Sequence, residues 1–463
     1  MENKRYDALI VGCGEAGKYL AWHLARQGQS VVVVERSLVG GACPNIACLP
    51  SKNVIHSAKV IDLVRRGKTY GADVESWRVN VAAVRRRKQE MIDGLVQMHY
   101  DKFAASGAEL LMGEASFIGD RTLKVILLSG QEVHLEGKQV FLNTGSRAAI
   151  PAIPGLAESN PMTHVDALRL EDSPSHLLIL GGGYIGLELA QAFQRMGTAV
   201  TVIQDKNRLL PHEDADVSAA VLELMQDEGV DVRLGCVVRS VSGRSGDAVE
   251  VQLNGCDGDT MLKASHILVA TGRLPNTERL NLEAGGVAVT DRGFIRVDDT
   301  LRTSAEGVWA MGDCSGSPFF THVSYDDFRV VRDNLAGKIR TTTGRLIPFT
   351  LFTDPELARV GLNETEAQAQ GLRYRIATLP MMGVLRTRTL GETRGFLKAL
   401  IADDDTILGF TAFSVGAGEL ASAVQLVMLG KLPYTLVANA IITHPTLAEG
   451  LMYLFASVPA RDA

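Results

Sequence analysis

An α/β fold with two Rossmann-like units is predicted by three features of the sequence. A short apolar run, 6–11 (YDALIV), ends in the loop Gly12-Cys13-Gly14-Glu15-Ala16-Gly17, followed by a helical stretch and a second apolar strand closing on Glu35. The same order of strand, glycine turn, helix and strand returns over 176–204, where HLLIL leads into Gly181-Gly182-Gly183-Tyr184-Ile185-Gly186. The spacing also repeats, with 23 residues from Gly12 to Glu35 and 23 from Gly181 to Gln204. The chain therefore carries an internal duplication.

Composition agrees with this fold. The 463 residues are 46% hydrophobic and 22% charged, the balance of ordinary globular domains, and the length suggests about three of them. Disorder and small disulfide scaffolds are excluded. Glycine is in excess at 46 residues, against a typical ~7%, as phosphate loops and strand-end turns would require. Six cysteines are too few to staple such a chain, so cysteine is expected to act as chemistry. A net charge of −6 gives no basic excess for nucleic acid. The start, MENKRYDALIVG, has no apolar signal core, and no apolar run reaches the ~18 residues of a membrane span. The expected setting is cytoplasmic and reducing, with no membrane partner.

The remaining elements follow in order. After Glu35 a cysteine-bearing segment leads into a long helical stretch over 52–106, then a strand-rich stretch over 108–143. The basic run Arg85-Arg86-Arg87-Lys88 lies within the helical stretch and reads as a solvated face. After the second unit, HILVATG (266–272) and VWAMGDCSG (308–316) read as buried strands ending in glycine. From about 345 strands such as FLKALI and ILGFTAF mix with a helix, AGELASAVQLVML. No low-complexity linker separates these parts, so motifs set the boundaries.

Each motif has a chemical reason. Gly12 permits the tight turn, Gly14 lets the backbone approach a pyrophosphate, and Gly17 lets helix and strand pack closely. The helix start then offers free N–H groups and a positive dipole end. Glu35 can accept hydrogen bonds from ribose hydroxyls. In the second loop Gln204 replaces that acid. It can bond a ribose without repelling a 2′-phosphate, and Lys206 and Arg208 follow, although Asp205 opposes them. The nucleotide is thus NADPH or NADH, with a tilt toward NADPH.

Cys43 and Cys48, separated by four residues in GGACPNIACLPSK, are expected about one helical turn apart on one face. Such a pair can bridge if the backbone allows, and Lys52 with a helix N-terminus could supply the positive surroundings a thiolate needs. A pair of small buried residues is the bland alternative, and zinc a second with poor ligand spacing. Redox chemistry is the best reading. Thr443-His444-Pro445-Thr446-Leu447-Ala448-Glu449 adds a histidine that Glu449 can orient as a general base for a thiol. Alone such a pair is more often structural. Beside a redox cysteine pair it reads as catalytic.

Together these residues resemble the class I pyridine nucleotide-disulfide oxidoreductases, the family of glutathione reductase, lipoamide dehydrogenase and mercuric reductase. GCGEAG, GGACPNIACLPSK, NTGS, GGGYIGLE, ATGRLPN, MGDC and THPTLAEG occur in that order over about 6–456. The resemblance implies two Rossmann-like domains, for FAD and NAD(P), and a C-terminal α+β dimerisation domain. The boundaries expected are 1–150 and 272–342 for a divided FAD domain, 151–271 for the NAD(P) domain and 343–463 for dimerisation. It implies FAD along Gly12, Gly14, Gly17 and Glu35, with Ala115, Thr144, Gly145, Gly312 and Asp313 also in contact. NADPH or NADH would dock at Gly181, Gly183, Gly186 and Gln204, with Gly272 and Arg273 nearby. Lys52 and Glu188 would pair beside the flavin. Cys43 and Cys48 would form the redox disulfide, Cys48 nearer the flavin and Cys43 exchanging with the acceptor. His444 and Glu449 would come from the second chain of a homodimer. No resident metal is implied.

The acceptor is read less directly. Cysteines end at Cys314, so the C-terminal pair of mercuric reductase is absent. Gln204 departs from the acid usual in lipoamide dehydrogenase, and the arginine pair usual in glutathione reductase is missing. The segment 319–329 (FFTHVSYDDFR) and the tail KLPYTLVANAIITHPTLAEGLMYLF look like a branch of flavin reductases from bacterial defence against reactive chlorine, with cupric or mercuric ion reduction proposed. A disulfide, a metal ion such as Cu(II) or Hg(II), or a small oxidant is the expected acceptor. Dihydrolipoamide dehydrogenase or a glutathione-reductase type is the alternative. A redox-sensing binding protein is the alternative of another class, and it would need no thiol base. His322, Met381 and Met382 read as packing rather than as soft metal contacts. Cys13, Cys236, Cys256 and Cys314 carry no assigned role.

Overall fold

The computed structural model describes residues 3–255, 258 and 260–461. Strand Asn3–Val11 lies between Val31–Glu35 and Glu132–Leu142 and runs parallel to both, with Ala8 opposite Val31 and Ile10 opposite Phe141. Glu109–Gly119 and Val308–Ala310 extend this sheet at either side, again in parallel. All five residues of Val31–Glu35 are buried, because a parallel strand is covered on both faces. Phe141 stacks on Trp309 at 5.0 Å between centroids, fixing the late strand to the early ones. Glu109–Gly119 and Glu132–Leu142 continue past the parallel part and pair antiparallel with Thr122–Leu127.

The second unit repeats the plan. Its sheet runs His266–Val269, His176–Leu180, Ala199–Gln204, Asp231–Leu234, all parallel. A three-stranded antiparallel sheet, Val237–Arg244, Ala248–Asn254 and Thr260–Ala264, adjoins it. The chain leaves the first unit through Ser146–Ala148 and returns through Arg273–Pro275, and these two segments pair with each other. The second unit is therefore inserted into the first.

The last part is a five-stranded antiparallel sheet, ordered Phe349–Leu351, Glu356–Gly361, Ile407–Ser414, Phe396–Ala402, Tyr374–Pro380. Helices Ala417–Leu429 and Glu449–Ala456 pack on it through one apolar core. One buried cation joins this sheet to the second unit. Lys398 Nζ lies 2.9 Å from Asp214, 2.8 Å from Asp216 and 2.8 Å from Glu364, with 2% of its side chain exposed. Burial opposes the charge, but the three carboxylates prevail and raise the lysine pKa. Removing one partner strands the others. Lys398→Met is expected to cost about 3–5 kcal/mol, read as a lowered thermal midpoint; an unchanged midpoint would refute the assignment.

Three expectations are corrected. The stretch 52–106 is not one helix. Cys48–Arg65 and Val81–Ser106 are separated by a 3-10 turn at Gly67–Tyr70, which ends in left-handed Gly71 (φ +79°). Asn80 then caps the second helix by accepting from Ala83 N–H at 2.9 Å. The strand expected over 308–316 stops at Ala310, because Gly312 turns at φ +71° into a 3-10 segment. In the basic run Arg85, Arg86 and Arg87 are exposed, but Lys88 is buried and donates to Leu168 O at 2.5 Å.

Candidate active site

The loop entering Cys43 is squeezed from two sides. Gly40 and Gly41 have φ +94° and +77°, where glycine is favoured. A Cβ on Gly40 would lie 3.1 Å from the His99 ring, and one on Gly41 would lie 2.6 Å from Gly14 Cα. Lys18 clamps the same loop from below. Its buried ammonium meets Glu15 at 2.7 Å, His99 Nε2 at 3.0 Å and Gly40 O at 3.4 Å.

Cys43 then sits in the short helix Ala42–Asn45, and Cys48 opens the long helix Cys48–Arg65. The two cysteines do not share one helix as expected; the backbone breaks between them at Ile46 and Ala47. That break still brings the two side chains into hydrogen-bond contact, and both are free thiols. Cys48 is lowered from 9.0 to about 6, by the hydrogen bond from Cys43 first, then by Thr321 and Lys52, against the pull of burial and Glu188. The same bond and burial hold Cys43 above its ordinary value. The Thr321 hydroxyl lies 3.2 Å from Cys48 Sγ, and the helix start adds its positive end. These contacts favour the thiolate at Cys48 over Cys43. Alkylation of Cys48 is expected to gain rate through pH about 6, followed with iodoacetamide by peptide mass spectrometry. A midpoint at the ordinary 9.0 would remove the assignment.

Beside this pair Lys52 Nζ meets Glu188 Oε2 at 2.7 Å, joining the cysteine helix to the second glycine-loop helix. Glu188 Oε1 also accepts from Phe352 N–H at 3.0 Å, and Lys52 lies over the Phe352 ring at 4.7 Å. Arg273 donates to Ser146 Oγ at 2.8 Å and Ser146 O at 2.9 Å, while the Ser146 hydroxyl donates to Asp313. Burial lowers the Arg273 pKa and raises that of Asp313. Arg273 is therefore anchored to the first unit, and its field reaches Cys48.

The two glycine loops are held alike. Glu35 accepts from Cys13 N–H at 2.8 Å, and Gln204 accepts from Gly182 N–H at 2.9 Å. Asn143, which precedes Thr144 and Gly145, accepts from Gly17 N–H at 3.0 Å and donates to Met311 O at 2.8 Å. It pins the first loop to the strand end before Gly312 and Asp313. Ala115 is buried in strand Glu109–Gly119.

The fit to dinucleotides can be tested on these loops. Neither cap residue, Gly14 nor Gly183, has a side chain to cap its helix, and apart from Gly17 N–H, which Asn143 holds, this leaves first-turn amides for a pyrophosphate. A Cβ on Gly14 would meet Asn143 Oδ1 at 2.5 Å, whereas around Gly183 and Gly145 the space is open to 4 Å. Glu35 also accepts from Ser37 and Leu38 N–H, at 2.8 and 3.1 Å, on one oxygen, leaving its carboxylate room for one more donor. The residues fit FAD at the first unit and a pyridine nucleotide at the second.

His444 Nδ1 lies 3.0 Å from Glu449 Oε1, and Glu449 Oε2 accepts from Thr446 N–H at 2.9 Å. The latter bond, then the histidine, lower the Glu449 pKa. The His444 side chain is 60% exposed and bonds neither cysteine of its own chain. Of the remaining candidates, His322 bonds Pro348 O at 2.8 Å, Met381 is buried and Met382 is exposed. Cys13 and Cys314 are buried thiols, the former pushed by burial to about 12. Cys236 is disulfide-bonded, and Cys256 lies outside the described residues. Among the described residues no helix is long and apolar enough to cross a membrane.

Sequence reasoning gave no role to Asn143, Thr321, Asp327 or Phe352. Buried Asp327 accepts from Gly312 N–H at 2.7 Å, fixing the turn that carries Asp313. Asn143 stood inside the quoted NTGS motif and Thr321 and Asp327 inside the quoted segment 319–329; Phe352 had no local signal.

Two glycine-loop helices, the second tied to the cysteine helix by an ion pair beside the thiol pair, place the chain in a family: it belongs to the pyridine nucleotide-disulphide oxidoreductases, matched over residues 6–327, with their dimerisation domain matched over 347–454. It is an FAD-dependent oxidoreductase that takes electrons from a pyridine nucleotide. Among curated proteins it is 36% identical over 464 residues to the probable pyridine nucleotide-disulfide oxidoreductase RclA of Escherichia coli, covering 98% of this chain and 99% of that one. It is 33% identical to a mercuric reductase of Staphylococcus aureus, covering 96% of this chain and 81% of that one. The solved Cu(II) complex of the HOCl-induced flavoprotein disulfide reductase RclA from Escherichia coli superposes with a TM-score of 0.89 at 34% identity, covering 98% and 99%.

Proposed function

We propose that this chain carries reducing equivalents from NADPH or NADH to the Cys43–Cys48 pair and on to a disulfide, a Cu(II) or Hg(II) ion, or a small oxidant. The observation that carries the reading is the contact of Cys43 with Cys48, with Thr321 3.2 Å from Cys48 Sγ, beside the Lys52–Glu188 ion pair. FAD, when bound at Gly12, Gly14, Gly17, Glu35, Ala115, Thr144, Gly145, Gly312 and Asp313, supplies the two-electron relay from nicotinamide to the pair. Cys48 keeps its negative charge through Thr321, Lys52 and the helix start. Cys43 attacks the acceptor once its proton is taken. His444, with Nδ1 held by Glu449, offers Nε2 for that proton. Since His444 reaches no cysteine of its own chain, a homodimer with shared sites is the working unit.

The nucleotide would lie on Gly181, Gly183, Gly186 and Gln204, near Gly272. Gln204 places no carboxylate there, which favours NADPH. Lys206 is paired with Asp205 at 3.1 Å and Arg208 holds Pro211 O at 2.8 Å, so a 2′-phosphate would compete for them. The inserted unit spans 151–271, the divided FAD domain 1–150 and 272–342, and the dimerisation domain 343–463. The cytoplasm, where thiols stay reduced, suits such a pair. Metal ions enter as acceptors because a relative is named for mercury and a neighbour was solved with Cu(II). Lipoamide- or glutathione-specific reduction and redox sensing without turnover are less favoured.

The test is steady-state oxidation of NADH and NADPH with oxidised glutathione, lipoamide, Cu(II), Hg(II) and hypohalous oxidants. Acceptor-dependent turnover, faster with NADPH, is expected. No turnover with any acceptor would overturn the reading.

A further inference from the structure

The peptide between Met311 and Gly312 is held on both sides. Asn143 donates to Met311 O at 2.8 Å, and Gly312 N–H donates to Asp327 at 2.7 Å. The Ser317 hydroxyl donates to the same Asp327 oxygen at 2.8 Å, so the turn that carries Asp313 closes around one carboxylate. That carboxylate is fully buried on helix Thr321–Leu335. A charge so placed needs a partner. Arg345 supplies it, donating to the other Asp327 oxygen at 2.7 Å and meeting Asp326 at 3.3 Å.

Arg345 comes from outside this turn. It lies in the stretch 336–348, which leads from the helix to the first strand of the last sheet, Phe349–Leu351. The stretch is strapped back along the helix. Arg340 meets Asp326 at 2.6 Å and Asp333 at 3.5 Å, and Asn334 donates to Arg340 O at 2.6 Å. Its far end is tied to the last sheet's own helix. Gln425, in Ala417–Leu429, donates to Leu346 O at 3.1 Å. Contacts thus run from that helix through Leu346 and Arg345 to Asp327 and the Gly312 turn. Burial pushes the Asp327 pKa up, and Arg345 is the first group to oppose it.

We propose that Asp327 and Arg345 are positioning residues for the flavin, and that they hold the Gly312–Asp313 turn in its binding geometry only while the connecting stretch is seated on the helix. The proposal rests on the reading above that this turn contacts FAD. With Arg345 in place, the Asp327 carboxylate stays charged and aimed at Gly312 N–H. Without it, a buried charge is left unpaired, and the carboxyl group takes up a proton or turns toward water. The Met311–Gly312 peptide then keeps only the Asn143 hold. Seating of the dimerisation domain is in this way felt at the flavin site of the same chain.

Release of FAD from diluted holoenzyme, followed by free-flavin fluorescence, tests this without turnover. Asp327→Leu with Arg345→Met removes both charges together, so no charge is stranded, but Gly312 N–H loses its acceptor. FAD should leave this variant about tenfold faster than the unsubstituted enzyme. Asp327→Asn with Arg345→Met also removes both charges but keeps an oxygen for Gly312 N–H, and its release should stay within about threefold of the unsubstituted rate. Arg345→Met alone strands the carboxylate and should release FAD about tenfold faster. No acceleration in the leucine variant or in Arg345→Met, or equal release from the leucine and asparagine variants, overturns the proposal. Lys398→Met is destabilised far from the turn; release from it as fast as from the leucine variant would show that flavin loss only follows stability, and overturns the proposal too. Asp313→Ala separates the parent reading. Flavin lost from Asp313→Ala but kept by the leucine variant refutes the positioning role alone. Flavin kept by Asp313→Ala refutes the assignment of this turn to FAD, and the proposal with it.

Discussion

Cys48→Ser is expected to lose at least about 10³-fold in acceptor turnover while NAD(P)H still bleaches the flavin absorbance. Serine has nearly the same volume, so the helix start and Lys52 stay in place. Its hydroxyl remains protonated at neutral pH and forms no S–S bond. The Thr321 hydroxyl 3.2 Å away then has no thiolate to serve. Rapid mixing with NADPH separates the two halves of the reaction. An intact first half and an abolished second are predicted. Full turnover of every acceptor by the serine variant would show that electrons bypass the pair.

The second large effect concerns His444. Replacing it with alanine removes the base that Glu449 orients at 3.0 Å, and general-base losses are typically 10²–10⁴-fold. The loss should appear in the acceptor half of the reaction. Sharing between chains gives a sharper outcome. Neither Cys48→Ser nor His444→Ala homodimers turn over. In a mixed dimer one site combines both lesions and the other combines neither. Random reassociation should therefore recover about a quarter of the unsubstituted activity for a twofold-symmetric dimer. No recovery, with mixed dimers shown by mass spectrometry, would place each histidine in its own chain's site.

Much of this was legible in the sequence because it is local. Helix Ala417–Leu429 and strands Phe396–Ala402 and Ile407–Ser414 lie where the apolar pattern put them. The repeated spacing from Gly12 to Glu35 and from Gly181 to Gln204 is met by the same contact, a side chain accepting from the glycine loop. Where the reading failed, a local rule was overruled by a neighbour. Cys43 and Cys48 looked like one helical face, but the loop is squeezed between His99 and Gly14 and breaks at Ile46 and Ala47. Lys88 looked solvated in its run of charge, but the chain at Leu168 supplies a carbonyl that buries it.

The sequence by itself determined the two glycine loops, the cysteine segment, the histidine with its acid, and hence the class of chemistry. Those signals lie within segments whose backbone geometry depends on nearest neighbours. Only the tertiary structure set the two thiols apart, because Thr321 reaches Cys48 from a distant element. It alone set Asn143 against Gly17 and buried Lys398 among three acids. A pKa or a pocket is a sum over charges and surfaces brought together from distant parts of the chain, and no spacing along the sequence contains that sum.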